Sequence, residues 1–235
     1  MSELLLVRHG QASFDKAHYD ELSPVGHRQA TLLGEWMAAR GMEFDAVACG
    51  TMERHRDTLA AIVRAYGTRR LRLPTARMAE AINEYEHRNI LAAFARREPA
   101  HPAVQASEDG RSRDPRRLFD FLRAALGAWA SGALDDDVLE TWSAFRARIG
   151  AAAQELAELA RQHRRVLVVS SGGVISQLAQ RALDCPDARA VELNLSLRNS
   201  AMCELRALDG HFLLSSWNVL PHLSAPSLRE LWTYY

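Results

Sequence analysis

Cysteine is sparse in this chain, with three in 235 residues, at Cys49, Cys185 and Cys203. An odd number at wide spacing indicates neither a disulfide framework nor a zinc site. Lysine is nearly missing: of 29 basic residues only Lys16 is a lysine, and the rest are arginines, whose planar fork suits bidentate binding of oxyanions. Net charge is lacking too, because 29 Asp and Glu balance the 29 basic residues. Global electrostatics therefore predict no nucleic-acid and no membrane partner, while leaving room for a local cationic pocket. The apolar run that opens the chain, Leu4 to Val7, is too short for a signal peptide or a membrane span. The expected setting is soluble, reducing and cytoplasmic. What remains is ordinary globular composition, 48% hydrophobic and 25% charged, in a chain long enough for a substantial core.

Leu4-Leu5-Leu6-Val7 reads as a short buried strand that runs directly into Arg8-His9-Gly10-Gln11. Gln11 to Glu21 is polar and turn-rich. Ser23 and Pro24 then suit the N-cap and first turn of a helix that carries Ala30, Leu33, Trp36 and Met37 at helical spacing and stops near Gly41. Phe44 to Cys49 predicts a second strand, Met52 to Tyr66 a helix, and Arg70 to Leu73 a third strand closed by Pro74. Asn89 to Arg97 and Arg116 to Ala130 read as helices around Glu98 to Pro115, a Pro-, Asp- and Ser-rich stretch expected to be the least ordered. Asp135-Asp136-Asp137 precede a long helix through Trp142 and Leu156. They are better explained as its caps than as a metal cluster. Val166 to Val169 predicts a fourth strand ending in Ser170-Ser171-Gly172-Gly173, followed by a helix from Val174, and Ala190 to Ser215 alternates like one or two terminal strands. Strands alternating with helices predict an α/β fold: three layers, a mostly parallel central sheet with helices on both faces, and one domain over residues 1–235 with a helical insertion at about 88–140.

In such sheets ligands sit beyond the carboxyl ends of the strands, and three strand ends here hold unusual chemistry. The first offers Arg8, His9 and Gly10. The second leads to Arg54, which, with Thr51 as N-cap, falls in a first helical turn where the macrodipole disfavours a cation by roughly 0.3–1 kcal/mol. A bound anion would offset that cost; a solvated surface arginine is the plain alternative. The third end, Ser-Ser-Gly-Gly, offers helix-terminal amides suited to an oxyanion, without Walker spacing or the Gly-x-Ser-x-Gly of a nucleophile elbow. Taken alone, Arg8-His9-Gly10 favours the plain reading of an exposed strand end and a turn histidine. Together with the other two ends it describes a phosphoryl site, with His9 a candidate covalent nucleophile and no obvious metal ligands.

These segments resemble the histidine phosphatase superfamily, the phosphoglycerate-mutase-like family. Leu5 to Ala12 is similar to its signature, and Leu22 to Ala30, Gly34, Gly50 to Thr58, Ile82-Asn83-Glu84, Val166 to Ile175 and the Trp217 to Leu223 stretch follow in the family's order. The resemblance implies that His9 becomes phosphohistidine, that Arg8 and Arg54 hold the phosphoryl oxygens with help from Gln11, Ser171 and Gly172, and that Glu84 is the general acid. Glu86 is the nearest competitor of Glu84. It implies no cofactor and a small phosphorylated substrate. The family usually has a second histidine where this chain has Ser171. His87 is then a candidate auxiliary imidazole, and histidine placed at 171 is expected to raise turnover. Mutase members have a Trp- and Asn-rich segment after the signature; Ala12 to Lys16 has neither residue, which favours hydrolysis. A phosphate-binding module without catalysis is the competing class. The arginines Arg96, Arg97, Arg111, Arg113, Arg116 and Arg117 serve either an anionic substrate or solubility. The tail Trp232, Tyr234 and Tyr235 covers either the core or a contact in a homodimer.

Overall fold

The computed structural model describes residues 2–13, 20–108, 115–208 and 210–234. Phe14 to Lys16, Arg111, Arg113 and Tyr235, on which some expectations above rest, lie outside them. The chain runs β1 (Ser2–Arg8), α1 (Pro24–Ala39), β2 (Ala46–Cys49), α2 (Glu53–Thr68), β3 (Ala76–Met78), α3 (His87–Arg97), α4 (Pro102–Glu108), α5 (Pro115–Ala130), α6 (Trp142–Gln162), β4 (Arg165–Ser170), α7 (Gly172–Leu183), α8 (Asp187–Ser196), β5 (Met202–Leu208) and β6 (His211–Val219). The strands form one sheet in the order β3-β2-β4-β1-β5-β6. β1, β2, β3 and β4 are mutually parallel, and β5 is antiparallel to both of its neighbours.

The continuous apolar run of β1 follows from burial on both sides. Leu4 and Leu6 enter one core with Val166 and Val168 of β4, while Leu5 and Val7 enter the other with Leu167 and Val169. Alternation along a strand sends successive side chains to opposite faces, so a strand covered on both must be apolar throughout. The second core is closed by Leu33 and Met37 of α1 and Ile62 and Tyr66 of α2. The first is closed by α6 and α7 and by an aromatic group in which Trp129, fully buried, lies 4.7 Å from Tyr85 and 4.9 Å from Trp142 between ring centroids.

Register then sets the site. Arg8 pairs with Ser170, and Cys49 with Val169, so the three strand ends singled out above leave the sheet side by side. Gly10 and Gly26 meet there: a β-carbon on Gly10 would lie 2.4 Å from the Gly26 carbonyl oxygen, and one on Gly26 would lie 2.1 Å from that of Gln11.

Several local expectations are corrected. Residues 70–73 are not a strand: Arg70 turns the chain with φ 59°, Leu71 and Leu73 lean on the second core, and pairing with β2 begins only at Ala76. Asp135 to Asp137 do not cap a helix. They lie in turns, and α6 starts later, with the Thr141 hydroxyl accepting from Ala144 N–H at 3.1 Å. Residues 187–196 are helical rather than strand, because Ala190, Val191 and Leu195 bury one helical face and the alternation was fortuitous. Part of the stretch expected to be least ordered forms α4.

Candidate active site

His9 is 5% exposed at the end of β1. Its Nε2 lies 3.1 Å from Arg54 Nε and its Nδ1 lies 2.6 Å from the Gly10 carbonyl. A guanidinium only donates, so Nε2 accepts, and the ring proton sits on Nδ1 where the carbonyl receives it. Burial, and then the charges of Arg54, His55 and Arg8, hold its pKa well below 6.5. The ring is thus neutral, with its lone pair on the nitrogen that faces the cationic end of the cavity. Ser200 N–H holds the His9 carbonyl at 3.0 Å, and His9 N–H bonds the Ser170 carbonyl at 3.0 Å.

Arg54 is 3% exposed in the first turn of α2. The awkward dipole position is resolved within the protein: Asp20 accepts from Arg54 Nη1 at 2.6 Å and from Glu53 N–H at 2.7 Å, supplying the anion for both the cation and the helix start. Thr51 is not the cap; Met52 holds that position, without a capping side-chain bond. Thr51 instead accepts from Asn83 Nδ2 at 2.7 Å and donates its N–H to Asn83 Oδ1 at 2.7 Å. Arg8 Nη1 donates to the Leu197 carbonyl, which ties its guanidinium to the end of α8.

That Asn83 pairing fixes the neighbour that matters. Arg148 Nη1 grips the carbonyls of Ala81 at 3.0 Å and Asn83 at 2.9 Å while its other nitrogens hold Glu140, and Ser170 Oγ donates to the Ile82 carbonyl at 2.7 Å. Glu84 is thereby aimed into the cavity. Its Oε2 accepts from Gly173 N–H at 3.0 Å, while Oε1 is buried with no hydrogen-bond partner among the described residues. Burial pushes its pKa up, against the pull of the Gly173 amide and the two arginines. Glu86 faces solvent and caps α3 by accepting from Arg88 N–H at 3.2 Å.

The sequence reading passed over His55. It is fully buried, its Nε2 lies 2.6 Å from Ser171 Oγ, and its ring centroid is 5.5 Å from that of His9. The missed signal is a polar residue on the inward face of α2, one position after Arg54. Ser171, also fully buried, spends its hydroxyl on this ring. Gln11 Oε1 accepts from the Ser23 hydroxyl at 2.9 Å, and its N–H bonds Gln29 Oε1 at 2.8 Å, which ties it to the start of α1. Gly172 admits Asn194 and Arg8: a β-carbon there would meet Asn194 Oδ1 at 2.6 Å and Arg8 Nε at 3.4 Å. His87 lines the cavity at the start of α3, with its pKa lowered to about 4 by burial and the arginines Arg54 and Arg88.

Buried neutral histidines have a consequence for stability. His9 and His55 are held well below 6.5, and burial lowers His222 to about 3. The unfolded chain therefore binds these protons first, so their contribution is complete above about pH 6.5 and is lost as pH falls, by up to about 1.4 kcal/mol per pH unit for each proton. Glu84, with its raised pKa, opposes this with a single proton. Thermal denaturation between pH 7.5 and 4.5 should show a falling midpoint, less steep in His222→Gln; a flat profile would contradict the neutral assignment.

Arg8, His9, Arg54, Glu84 and His87 line one cavity of about 320 Å³; Gln11, Ser171 and Gly172 are not among the residues lining it. A family model described as the histidine phosphatase superfamily (branch 1) matches residues 4–220. The broad-specificity phosphatase YOR283W of Saccharomyces cerevisiae is 34% identical over 67 residues, 26% of this chain and 29% of that protein, so the match spans less than a third of its length. The crystal structure of a phosphoglycerate mutase from Bacillus anthracis superposes with a TM-score of 0.66 at 18% identity, covering 94% of each chain. That of a phosphoserine phosphatase mutant from Entamoeba histolytica in complex with phosphoserine does so with a TM-score of 0.62 at 19% identity, covering 95% of this chain and 100% of that one.

Proposed function

The chain belongs to the histidine phosphatase superfamily, and from that premise we propose that it hydrolyses small phosphomonoesters through a phosphohistidine on Nε2 of His9. The observation that carries the reading is the Arg54 Nε to His9 Nε2 contact of 3.1 Å, which fixes the tautomer and puts a cation where phosphoryl oxygens would lie. In the first step Nε2 bonds to phosphorus, the ester P–O bond breaks, and Glu84 gives its proton to the departing oxygen. In the second, Glu84 takes a proton from water, whose oxygen attacks phosphorus as the N–P bond breaks. Arg8 and Arg54 hold the charge-spread phosphoryl oxygens, so the assignment calls on no cofactor. A carboxyl whose pKa is raised by burial and an imidazole whose pKa is lowered by burial are shifted in the directions that a general acid and a nucleophile need.

Ser171 acts through His55 in this reading. The imidazole beside His9 comes from α2 rather than from position 171, and the two side chains fill one space. Histidine at 171 is therefore expected to lower turnover, reversing the expectation from sequence, because its ring would collide with His55. The double variant Ser171→His with His55→Ala should recover much of the loss. Equal rates for single and double variants would show that the two positions are not coupled.

The direct test is a rapid quench during turnover of 4-nitrophenyl phosphate or a labelled phosphoester, into alkali, which preserves phosphohistidine. Label on the His9 peptide is expected. Turnover with label only elsewhere refutes the mechanism, and phosphate binding without turnover on any phosphoester would establish a binding module instead.

A further inference from the structure

The cavity extends well beyond the phosphoryl end, and its far wall has a chemistry of its own. Leu118, Leu122 and Leu126 of α5 follow one another at every fourth residue, and their stripe faces Leu91 of α3 and Leu195 of α8 across the space next to Glu84. Three helices from different parts of the chain therefore converge to present leucine to whatever is attached to the phosphoryl group. The cavity volume of about 320 Å³ lies in the range of sites that enclose a small organic ligand, about 300–1,000 Å³.

The polar groups on this wall beyond the phosphoryl end are few: Asn194, His87, Arg88 and Tyr234, with Tyr85 beside Glu84. Asn194 Nδ2 donates to the Tyr85 hydroxyl at 2.7 Å, and His87, lowered to about 4, is neutral near physiological pH. Arg88 is exposed at the rim. Among the described residues lining the cavity, Glu84 is the one carboxylate, and it belongs to the phosphoryl end. An ammonium or a polyol on the leaving alcohol would give up its water here for few acceptors, whereas methylenes or a ring would replace water against leucine.

We propose that this leucine wall is a leaving-group subsite, and that the substrate is the phosphate monoester of an apolar alcohol, a medium-length alkyl or aryl group, rather than of an amino acid or a sugar. The inference rests on the phosphatase reading above and narrows it to a substrate class. The same cavity holds the nucleophile and the leucines, so the alkoxy group that leaves phosphorus as His9 attacks departs into the space this wall lines. Glu84, at the phosphoryl end of the same cavity, is the group that would protonate an alkoxide departing into an apolar space.

The test is a series of n-alkyl phosphates from ethyl to octyl, whose leaving groups differ little in basicity, measured as kcat/KM. Phosphoserine and 3-phosphoglycerate provide the polar comparison. Each added methylene is expected to raise kcat/KM by up to about fourfold, until the cavity is filled, and the longer esters should exceed both polar ones. In Leu122→Asn the octyl-to-ethyl ratio should fall at least tenfold. Leu118→Asn serves as the second variant, and melting curves show that each is folded. n-Alkyl phosphonates, which cannot be hydrolysed, supply a binding arm by calorimetry. Hydrolysis of all esters with no dependence on chain length, or a preference for the polar esters, overturns the subsite while leaving the phosphatase reading intact. Phosphonate affinity that rises with chain length in a protein that hydrolyses none of the esters supports the subsite and overturns the phosphatase reading. Phosphonate affinity independent of chain length overturns the subsite in either case.

Discussion

Replacing His9 by alanine is expected to lower phosphatase turnover by roughly a thousandfold or more, equivalent to about 4 kcal/mol of transition-state stabilisation, and to abolish the trapped phosphoenzyme. The size of the effect follows from how completely the site is built around this ring. Nδ1 is occupied by the Gly10 carbonyl and Nε2 is presented to Arg54. The flanking backbone is held by Ser170 and Ser200. No other described side chain with a nucleophilic nitrogen on the cavity wall is similarly poised: His87 sits at the start of α3, and His55 is bonded to Ser171 away from the lining. The variant should fold, since alanine removes a buried polar ring without adding bulk, and retained phosphate binding through Arg8 and Arg54 would show that the rest of the site is intact. Unchanged turnover in His9→Ala would remove the nucleophile from the scheme.

Gly173→Ala is expected to lower kcat/KM on alkyl phosphates by about a hundred- to a thousandfold, the range associated with a lost general acid. A β-carbon there would stand 2.3 Å from Glu84 Oε1 and 2.4 Å from Tyr85 Cε1. Tyr85 cannot retreat, because Trp129 at 4.7 Å and Phe145 at 5.4 Å close behind its ring. The carboxylate must therefore move, and with it the bond from the Gly173 amide. A stability cost of about 1–3 kcal/mol should accompany the overpacking. Glu84→Gln separates the two effects by keeping the shape and removing the proton. It should lose about as much activity on alkyl esters, lose far less on an ester whose leaving oxygen needs no proton, such as 4-nitrophenyl phosphate, and flatten the fall of kcat/KM at rising pH that comes from ionisation of Glu84. A Gly173→Ala enzyme with full activity on alkyl esters would show that Glu84 need not stand where it does.

The two glycines illustrate how much of the site could be read before the fold was seen. Ser-Ser-Gly-Gly announces a tight strand-to-helix junction by composition, yet which neighbour each glycine admits depends on residues far away in sequence. Gly172 admits Asn194 and Arg8, and Gly173 admits Glu84. Arg54 shows the reverse relation. Its position against the helix dipole was rightly unusual, but the anion that accommodates it is Asp20, 34 residues earlier, which no local pattern could indicate. The strand expected at 70–73 failed because a short edge strand is defined by its partner, and only residues from Ala76 onward reach β2.

By itself the sequence determined the α/β layering, through apolar runs whose unbroken character demands burial on both faces, and the ordered Arg8-His9, Arg54 and Glu84 segments that place the chain in its family. These are properties of short windows, where side-chain period and residue type act locally. Only the tertiary structure decided that His55 stands beside His9, that Asp20 anchors Arg54, and that leucines from α3, α5 and α8 line one cavity with Arg8, His9 and Arg54. Each is a contact between separate elements, and its energy depends on strand register and helix packing rather than on any one stretch of chain.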